Sequence, residues 1–551
     1  MIIPSSLRSL RAPSITFVAS AALLLLAACS SGGGSSGGGS GSTGGGTGSS
    51  GGSGAFTPND PFFPLQWHLR NTGQEAASGP AARAGEDLNV MGAWAQGGRG
   101  TGVRIAIIDD GLDITHPDLV ANVAAGESHD YVSGGTEPSP TLSSHGTACA
   151  GLAAAVGNNN LGVTGVAMGA QLVGYNLLQS MVTVNEADAM GRGLANNHIY
   201  SNSWGATDGQ GGLQPSSAVW RAAIDTGITT GRGGRGAIYT WAAGNGSPTD
   251  RSDYEGQSNY RGVIAVGALN NQGQKSSYSE EGSNLLVSAY GGEFCTTQTT
   301  VTTDVQAAPG YNDGGSPTSE NINDSNYSRC FNGTSAATPE VSGVVALVLE
   351  ANPSLNWRQM RWLLAHTTRR NDPGDGDWAM NGARLPVNHK YGYGVVDATA
   401  AITAARAFDA GVDLSGAQKT ATASATPALA IPDNTGTAAT STVTLTGSGL
   451  AGLEFVDLNL TSDHVDFGQL TITLTSPSGT RSVLTTQHSC VQDPSNPMPI
   501  ACGSMLMNGT RFGIARLMGE PADGTWTLSV QDGVAGGTGS ISAWSITAYG
   551  Y

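Results

Sequence analysis

At 551 residues the chain is too long for one ordinary core, and two folded domains are expected. A formal net charge of −17 with only 12% charged residues excludes the basic surface that nucleic acid needs, and favours cations or positively charged substrates. The 81 glycines and few aromatics point to many turns and a low-complexity segment.

Chain order begins with a targeting segment. Arg8 and Arg11 precede an apolar run over residues 15–28, which has the layout of a secretory signal and is short for a membrane span. Its end, Leu26-Ala27-Ala28-Cys29, resembles a bacterial lipobox, which implies removal of residues 1–28 and lipidation of Cys29. The other reading is an ordinary signal peptide with Cys29 incidental. Residues 29–55 then read as the lipidated cysteine plus a Gly/Ser tether, a coil reaching roughly 25–30 Å. Ser30 after the cysteine resembles Gram-negative sorting to the outer membrane, so an exported, membrane-anchored protein is expected. The remaining cysteines are expected to pair within domains, Cys295 with Cys330 and Cys490 with Cys502, leaving Cys149 free; other connectivities fit the sequence equally.

Residues 56–408 alternate short apolar runs ("VRIAIID", "QLVGYNLL", "HIYSNSW", "GAIYTWAAG", "GVIAVGA") with helix-like stretches ("HGTACAGLAAAV", "AATPEVSGVVALVLEANP"). Continuous Val/Ile/Ala runs predict an α/β domain whose parallel sheet is buried on both faces. Such sheets carry ligands beyond the carboxyl ends of their strands, where Asp109 falls. Residues 409–440, rich in Ala, Thr, Gly and Pro, read as a linker. From 441 to 551 short alternating strands separated by "SPSGT" and "PADGT" turns predict an all-β sandwich.

Three segments carry chemistry together: "IIDDG" with Asp109, "SSHGTACAG" with His145, and "FNGTSAATPEVSG" with Ser335. A serine hydroxyl cleaves peptides when an imidazole takes its proton and a carboxylate holds that imidazole in one tautomer. The order Asp, His, Ser and the "GTSxAxP" frame resemble the subtilisin-like serine proteases over roughly residues 60–406. The resemblance implies that Asp109 orients, His145 transfers the proton and Ser335 attacks. Asn245 in "TWAAGNG" matches the family's side-chain donor to the oxyanion, and Ser203, Trp204 and Gly205 in "SNSWG" match the segment that pairs with extended substrate.

The doubled aspartate resembles the kexin/furin branch, in which the second acid, here Asp110, faces a basic side chain of the substrate. The same resemblance places Asp208, Asp250 and Glu280 around a calcium ion under the specificity pocket, with Asp208 and Glu255 facing an incoming guanidinium. Glu255 stands where the branch carries aspartate, and "TLSSHG" lacks the acids that usually precede the histidine, so cleavage after Arg or Lys is expected and a strict basic pair is not. A second calcium ion is implied for Asp60, Asp118, the Asn159 side chain and the carbonyls of Val156, Leu161 and Val163. A third site is doubtful, because Gly135 replaces an acid beside Asp130 and Glu137; Asp113 reads as a solvated turn residue.

Residues 441–551 resemble that branch's P domain, expected to cover and stabilise the catalytic domain. Cys149 is expected to lie buried behind the histidine. Family members carry a folded pro-segment where this sequence shows only the tether, so either the domain folds unaided or a separate protein acts as helper and inhibitor; the second is favoured. The competing functions are a broad degradative subtilase whose acids only stabilise loops, and an idle surface-binding lipoprotein.

Overall fold

The computed structural model describes residues 56–74, 80–139, 144–294, 299–306, 310–312 and 322–551; the signal, Cys29, the tether and Cys295 lie outside the described residues. The apolar runs form strands β1 (Arg104–Ile108), β2 (Gln171–Tyr175), β3 (Ile199–Asn202), β4 (Ile238–Ala242), β5 (Val263–Leu269) and β6 (Leu285–Tyr290). They pair in the order β2-β1-β3-β4-β5-β6, every pair parallel. Every residue of β3 to β6 is buried, as expected for a sheet covered on both faces. β6 and the helix Ala218–Gly234 add to the runs read from sequence.

The order reverses at β1, with β2 on one side and β3 on the other. Such a switch point opens a crevice beyond the carboxyl ends of the strands. Asp109 directly follows β1, Ser203 directly follows β3, and Asn245 lies just past β4. Two helices that pack on each other, His145–Ala154 and Thr334–Ala351, bring the remaining groups to that rim.

The second domain is a sandwich of two antiparallel sheets. It starts earlier than composition suggests, which corrects the reading of 409–440 as a linker. Lys419–Ala425 and Leu429–Ile431 both pair with the last strand, Gly539–Gly550. Lys419–Ala425 is an edge strand in which half-buried Ala421, Ala423 and Ala425 alternate with exposed Thr420, Thr422 and Ser424, a period whose contrast is weak because every one of these side chains is small. Cys490 and Cys502 are joined, Cys330 is disulfide-bonded, and Cys149 is free and buried.

The described residues, from 56 to 551, belong to one compact unit. Its two cores interlock: Phe455, Ala515 and Met518 of the sandwich sit in the core of the α/β domain, and Tyr254 sits in the core of the sandwich. Across the seam Arg358 Nε donates to both Glu454 oxygens at 3.1 and 2.9 Å, with both side chains buried. Among the described residues no helix is long and apolar enough to cross a membrane.

Candidate active site

His145 Nδ1 lies 2.9 and 3.0 Å from the two Asp109 oxygens. Asp109 is fully buried, whereas the imidazole keeps 24% of its surface exposed. Burial, the largest single effect, would lower the histidine pKa, but the Asp109 charge, the neighbouring Cys149 and the hydrogen bonds to both together outweigh it and hold the imidazolium well above its ordinary range. Asp110, the second acid, is 8% exposed. Its carboxylate accepts the N–H groups of His145 (3.2 Å) and Gly146 (2.8 Å), capping the helix whose nominal cap, Ser144, makes no side-chain capping bond. Burial and the Asp109 charge push it up to about 6. This positioning work was not foreseen from sequence, and it commits both oxygens of the acid expected to read a second basic residue. Gly146 is required, since a Cβ there would stand 2.0 Å from the Gly111 carbonyl.

Ser335 is the second residue of its helix, and Pro339 sits in the same helix. Proline has no N–H to give to the residue four positions back, so the Ser335 carbonyl loses its helical partner. Two side chains replace it: Ser203 Oγ donates at 3.0 Å and Cys149 Sγ at 3.6 Å. The Ser335 hydroxyl in turn donates to the Ser203 carbonyl at 3.2 Å. Cys149 Sγ also lies 3.8 Å from His145 Nδ1, and burial pushes its thiol up to about 11. The thiol is therefore unreactive at neutral pH. We expect iodoacetamide to leave Cys149 unmodified in the native protein and to alkylate it after denaturation, as read from the mass of its peptide.

Asn245 Oδ1 accepts both the backbone N–H (2.8 Å) and the hydroxyl (2.9 Å) of Thr334. With its carbonyl end fixed, the amide has its NH2 end left to donate, and the Asn245 side chain also hydrogen-bonds the Asp208 carboxylate. Asn245→Ala is expected to lower kcat about 10²–10³-fold with little change in KM, measured by steady-state hydrolysis of a peptide.

A cavity of about 260 Å³ opens beside Ser335. Its lining includes Ser203, Trp204, Gly205, Asp208, Asn245 and Glu255, so the residues expected to touch substrate converge there, Asp110 excepted. Behind it lies a cluster of acids. The Asn245 N–H donates to Asp208 at 2.7 Å, Ala206 N–H to Glu255 at 3.0 Å, and Gly246 N–H to Glu280 at 2.9 Å. Asp250 accepts the N–H groups of Gly209, Gln210 and Gly211. Burial, then the charges of Asp250 and Asp208, push Glu255 up to about 8. Burial, then Glu255, Asp250 and Asp208, raise Glu280 well above the carboxylate range. Burial also raises Asp208 and Asp250. Glu280 Oε2 is buried without a partner. Repelling carboxylates around an orphaned oxygen are a donor set that suits a hard divalent cation. Gly244, at φ +106°, makes room for them: a Cβ there would stand 2.3 Å from Glu280 Oε1.

The other expected calcium set also converges. Asp60 accepts the N–H groups of Asn158 (2.8 Å) and Asn159 (3.1 Å), while Asp118 accepts Asn159 Nδ2 (2.7 Å) and Val163 N–H (2.9 Å). The Val156 N–H donates to the Asp118 carbonyl at 2.9 Å, and Leu161 N–H to Asn159 Oδ1 at 2.9 Å. Asp118 is fully buried; burial, with the Asp60 charge adding to it, pushes it up to about 7. Tyr327, which sequence reasoning missed, also hydrogen-bonds Asp118. The Asp60 and Asp118 carboxylates are of the kind calcium takes, while here they accept N–H groups of the loop and the Asn159 oxygen accepts from Leu161. Asp130 accepts from Ser133, Val132 N–H and Asn176, and Glu137 is exposed. Asp113 is not the solvated residue expected. It is 8% exposed, and it accepts Thr115 Oγ1 (2.7 Å) and the Gln306 N–H (3.2 Å), tying two loops together.

A larger cavity of about 680 Å³ adjoins the other side of His145 and Ser335, with Tyr278, Phe294, Tyr311 and Phe331 among its walls. These aromatics come from segments far apart in sequence, and no motif signals them.

Residues 100–394 match the subtilase family and residues 453–548 the proprotein convertase P-domain. Neuroendocrine convertase 2 of Drosophila melanogaster is 40% identical over 362 residues, which are 63% of this chain and 51% of that protein. Neuroendocrine convertase 2 of Sus scrofa is 33% identical over 518 residues, 89% of this chain and 74% of that one. A serine protease of Aeromonas sobria, solved in complex with its chaperone, superimposes with a TM-score of 0.80 at 28% identity, covering 90% of this chain and 95% of that one.

Proposed function

Because the chain belongs to the subtilase family, serine endopeptidases, and carries a proprotein convertase P-domain, we propose that it is a calcium-dependent endopeptidase cleaving proteins after Arg or Lys. The observation that carries this reading is the cavity beside Ser335 with Asp208 and Glu255 in its walls. A guanidinium or ammonium entering there would stabilise the ionised form of carboxyl groups whose charge burial disfavours.

In the proposed reaction Ser335 Oγ attacks the scissile carbonyl as His145 takes its proton, and Asp109 stabilises the imidazolium through Nδ1. The Asn245 amide and the Ser335 N–H face the developing oxyanion, a contribution of ~2.7–4 kcal/mol per donor. His145 then protonates the departing amine. The ester on Ser335 is hydrolysed by water in the reverse sense. Asp208, Asp250 and Glu280 would hold one calcium ion and Asp60, Asp118 and the 156–163 loop another, and the ions supply positive charge that lets these acids stay ionised and close together.

The sign of the pH response follows from the raised carboxylates. Glu255 and Asp118 have folded pKa values of about 8 and about 7, against ordinary values of 4.5 and 3.8. Without metal their stabilising protons are held at low pH and are lost as pH rises through those folded values. In chelator the melting temperature is expected to fall between pH 5 and pH 8, and millimolar calcium should remove most of that slope in a scanning-calorimetry series. A slope unchanged by calcium would sink both proposed sites.

The solved complex of the Aeromonas sobria protease with a chaperone supports a separate folding helper for this chain too. Anchoring through Cys29 to the cell envelope rests on the 26–29 motif, and intact mass of the mature protein tests it: an unmodified N-terminus other than Cys29 overturns it. Specificity is tested with a peptide library, with and without EDTA, using Ser335→Ala as the blank. Cleavage after Arg or Lys that needs calcium is expected. Cleavage after large apolar residues would keep the nucleophile and overturn the pocket reading.

A further inference from the structure

The loop 208–211, which carries Asp208, is gripped from two sides. From inside, the Asp250 carboxylate accepts the N–H groups of Gly209, Gln210 and Gly211. From outside comes the 488–505 stretch of the second domain, which contains the loop closed by the Cys490–Cys502 disulfide. The Val491 N–H donates to the Gln210 carbonyl at 2.9 Å, His488 Nε2 faces the Gly211 carbonyl at 2.8 Å, and Leu213 N–H reaches Met505 Sδ at 3.3 Å. The peptide unit between Gln210 and Gly211 is thus held at both ends: its N–H points to Asp250 and its carbonyl, on the opposite edge of a trans peptide, to Val491. Gly209 and Gly211 have φ of +82° and +74°, and glycines in such conformations are the least self-ordering residues of a chain.

The His488 ring is itself fixed. Nδ1 lies 2.7 Å from the Thr486 carbonyl, and the ring packs edge-on to Phe467 at 5.6 Å. It stacks on Tyr254 with centroids 5.3 Å apart and planes at 27°. Tyr254 is the neighbour of Glu255. One imidazole on the second domain therefore touches the segments that carry both acids of the cavity, and its approach is close: a Cβ at Gly211 would lie 2.9 Å from His488 Cδ2.

We infer that His488, just ahead of the disulfide-closed loop of the second domain, is a positioning residue for the acidic pocket, clamping the 208–211 loop so that Asp208 and Asp250 converge with Glu255 and Glu280. The consequence for substrate rests on the reading of that cavity as the basic-residue pocket. The consequence for the loop and its cation does not.

The test uses the full chain with His488→Ala, His488→Gln and the pair Cys490→Ser with Cys502→Ser. Three quantities are read: hydrogen exchange at Gly209, Gln210 and Gly211, calcium affinity by calorimetry, and kcat and KM on a peptide with arginine before the scissile bond. His488→Ala is expected to speed exchange at those amides about tenfold, to weaken calcium binding about tenfold, and to raise KM about tenfold with kcat held within about twofold. His488→Gln, which keeps an N–H, should recover part of each change. Wild-type exchange, calcium affinity and KM in a folded variant would overturn the clamp. So would faster exchange spread evenly along the chain with KM unchanged, the mark of a merely stabilising contact. If the unaltered protein shows no preference for Arg or Lys, the pocket reading falls, while exchange and calcium affinity still decide the clamp. Should the cysteine pair fail to fold, the two His488 variants decide it alone.

Discussion

Ser335→Ala is expected to lower kcat by about 10⁶-fold, the scale observed when subtilisin loses its serine. The methyl group leaves nothing to form the acyl-enzyme, while Asn245 and the backbone N–H still face the carbonyl, so a residual rate about 10³–10⁴ above water should persist. The fold should survive, because the lost hydroxyl gives up one hydrogen bond, to the Ser203 carbonyl, and the bonds to the Ser335 carbonyl from Ser203 and Cys149 remain. Two measurements check this. Single-turnover hydrolysis of a peptide should collapse, and a fluorophosphonate probe should label the wild type once, at Ser335, and the variant not at all. Labelling at another serine would overturn the assignment.

Asp109→Asn is the second large effect, a loss of about 10⁴-fold in kcat. An amide can turn its NH2 towards Nδ1, which fixes the wrong tautomer and leaves Nε2 protonated and unable to accept the Ser335 proton. The pH profile separates this from simple misfolding. In the wild type the Asp109 charge raises the His145 pKa, so activity is lost as pH falls and the imidazole is protonated. Without that charge the imidazolium is less stable, its pKa drops, and the acid limb of the residual activity should move to lower pH. An acid limb that stays in place would mean that a group other than His145 controls it.

Much of this site is legible in the sequence because its parts sit in short local frames. "IIDDG", "SSHGT" and "FNGTSAATPE" each fix one side chain at the end of a strand or the start of a helix, and the parallel sheet then brings those ends to one rim. What stayed hidden depends on contacts between distant segments. Asp110 looks like a substrate acid in the sequence; its capping of the His145 helix appears only when the residues at 110 and 145–146 are adjacent. Asp113 looks solvated until Gln306 covers it. The edge strand Lys419–Ala425 reads as linker because, past Lys419, its inward face is only alanine and its outward face only Thr and Ser, so its two-residue period carries little contrast in size or hydropathy. The aromatic walls at Tyr278, Phe294, Tyr311 and Phe331 belong to loops whose meeting no local pattern encodes.

The interlocked cores have a consequence for how long the protein lasts. With Tyr254 seated in the sandwich and Phe455, Ala515 and Met518 seated in the α/β domain, neither half has a closed surface of its own. A chain cut near residue 408 would expose both sets of side chains and loosen the backbone around them. Loose backbone is what an endopeptidase digests, and the neighbouring intact molecules are endopeptidases. Peeling apart is therefore expected to be irreversible in practice: a damaged copy is consumed by its siblings, at a rate that grows with the square of concentration, and the population that remains in storage is the one whose seam never opened.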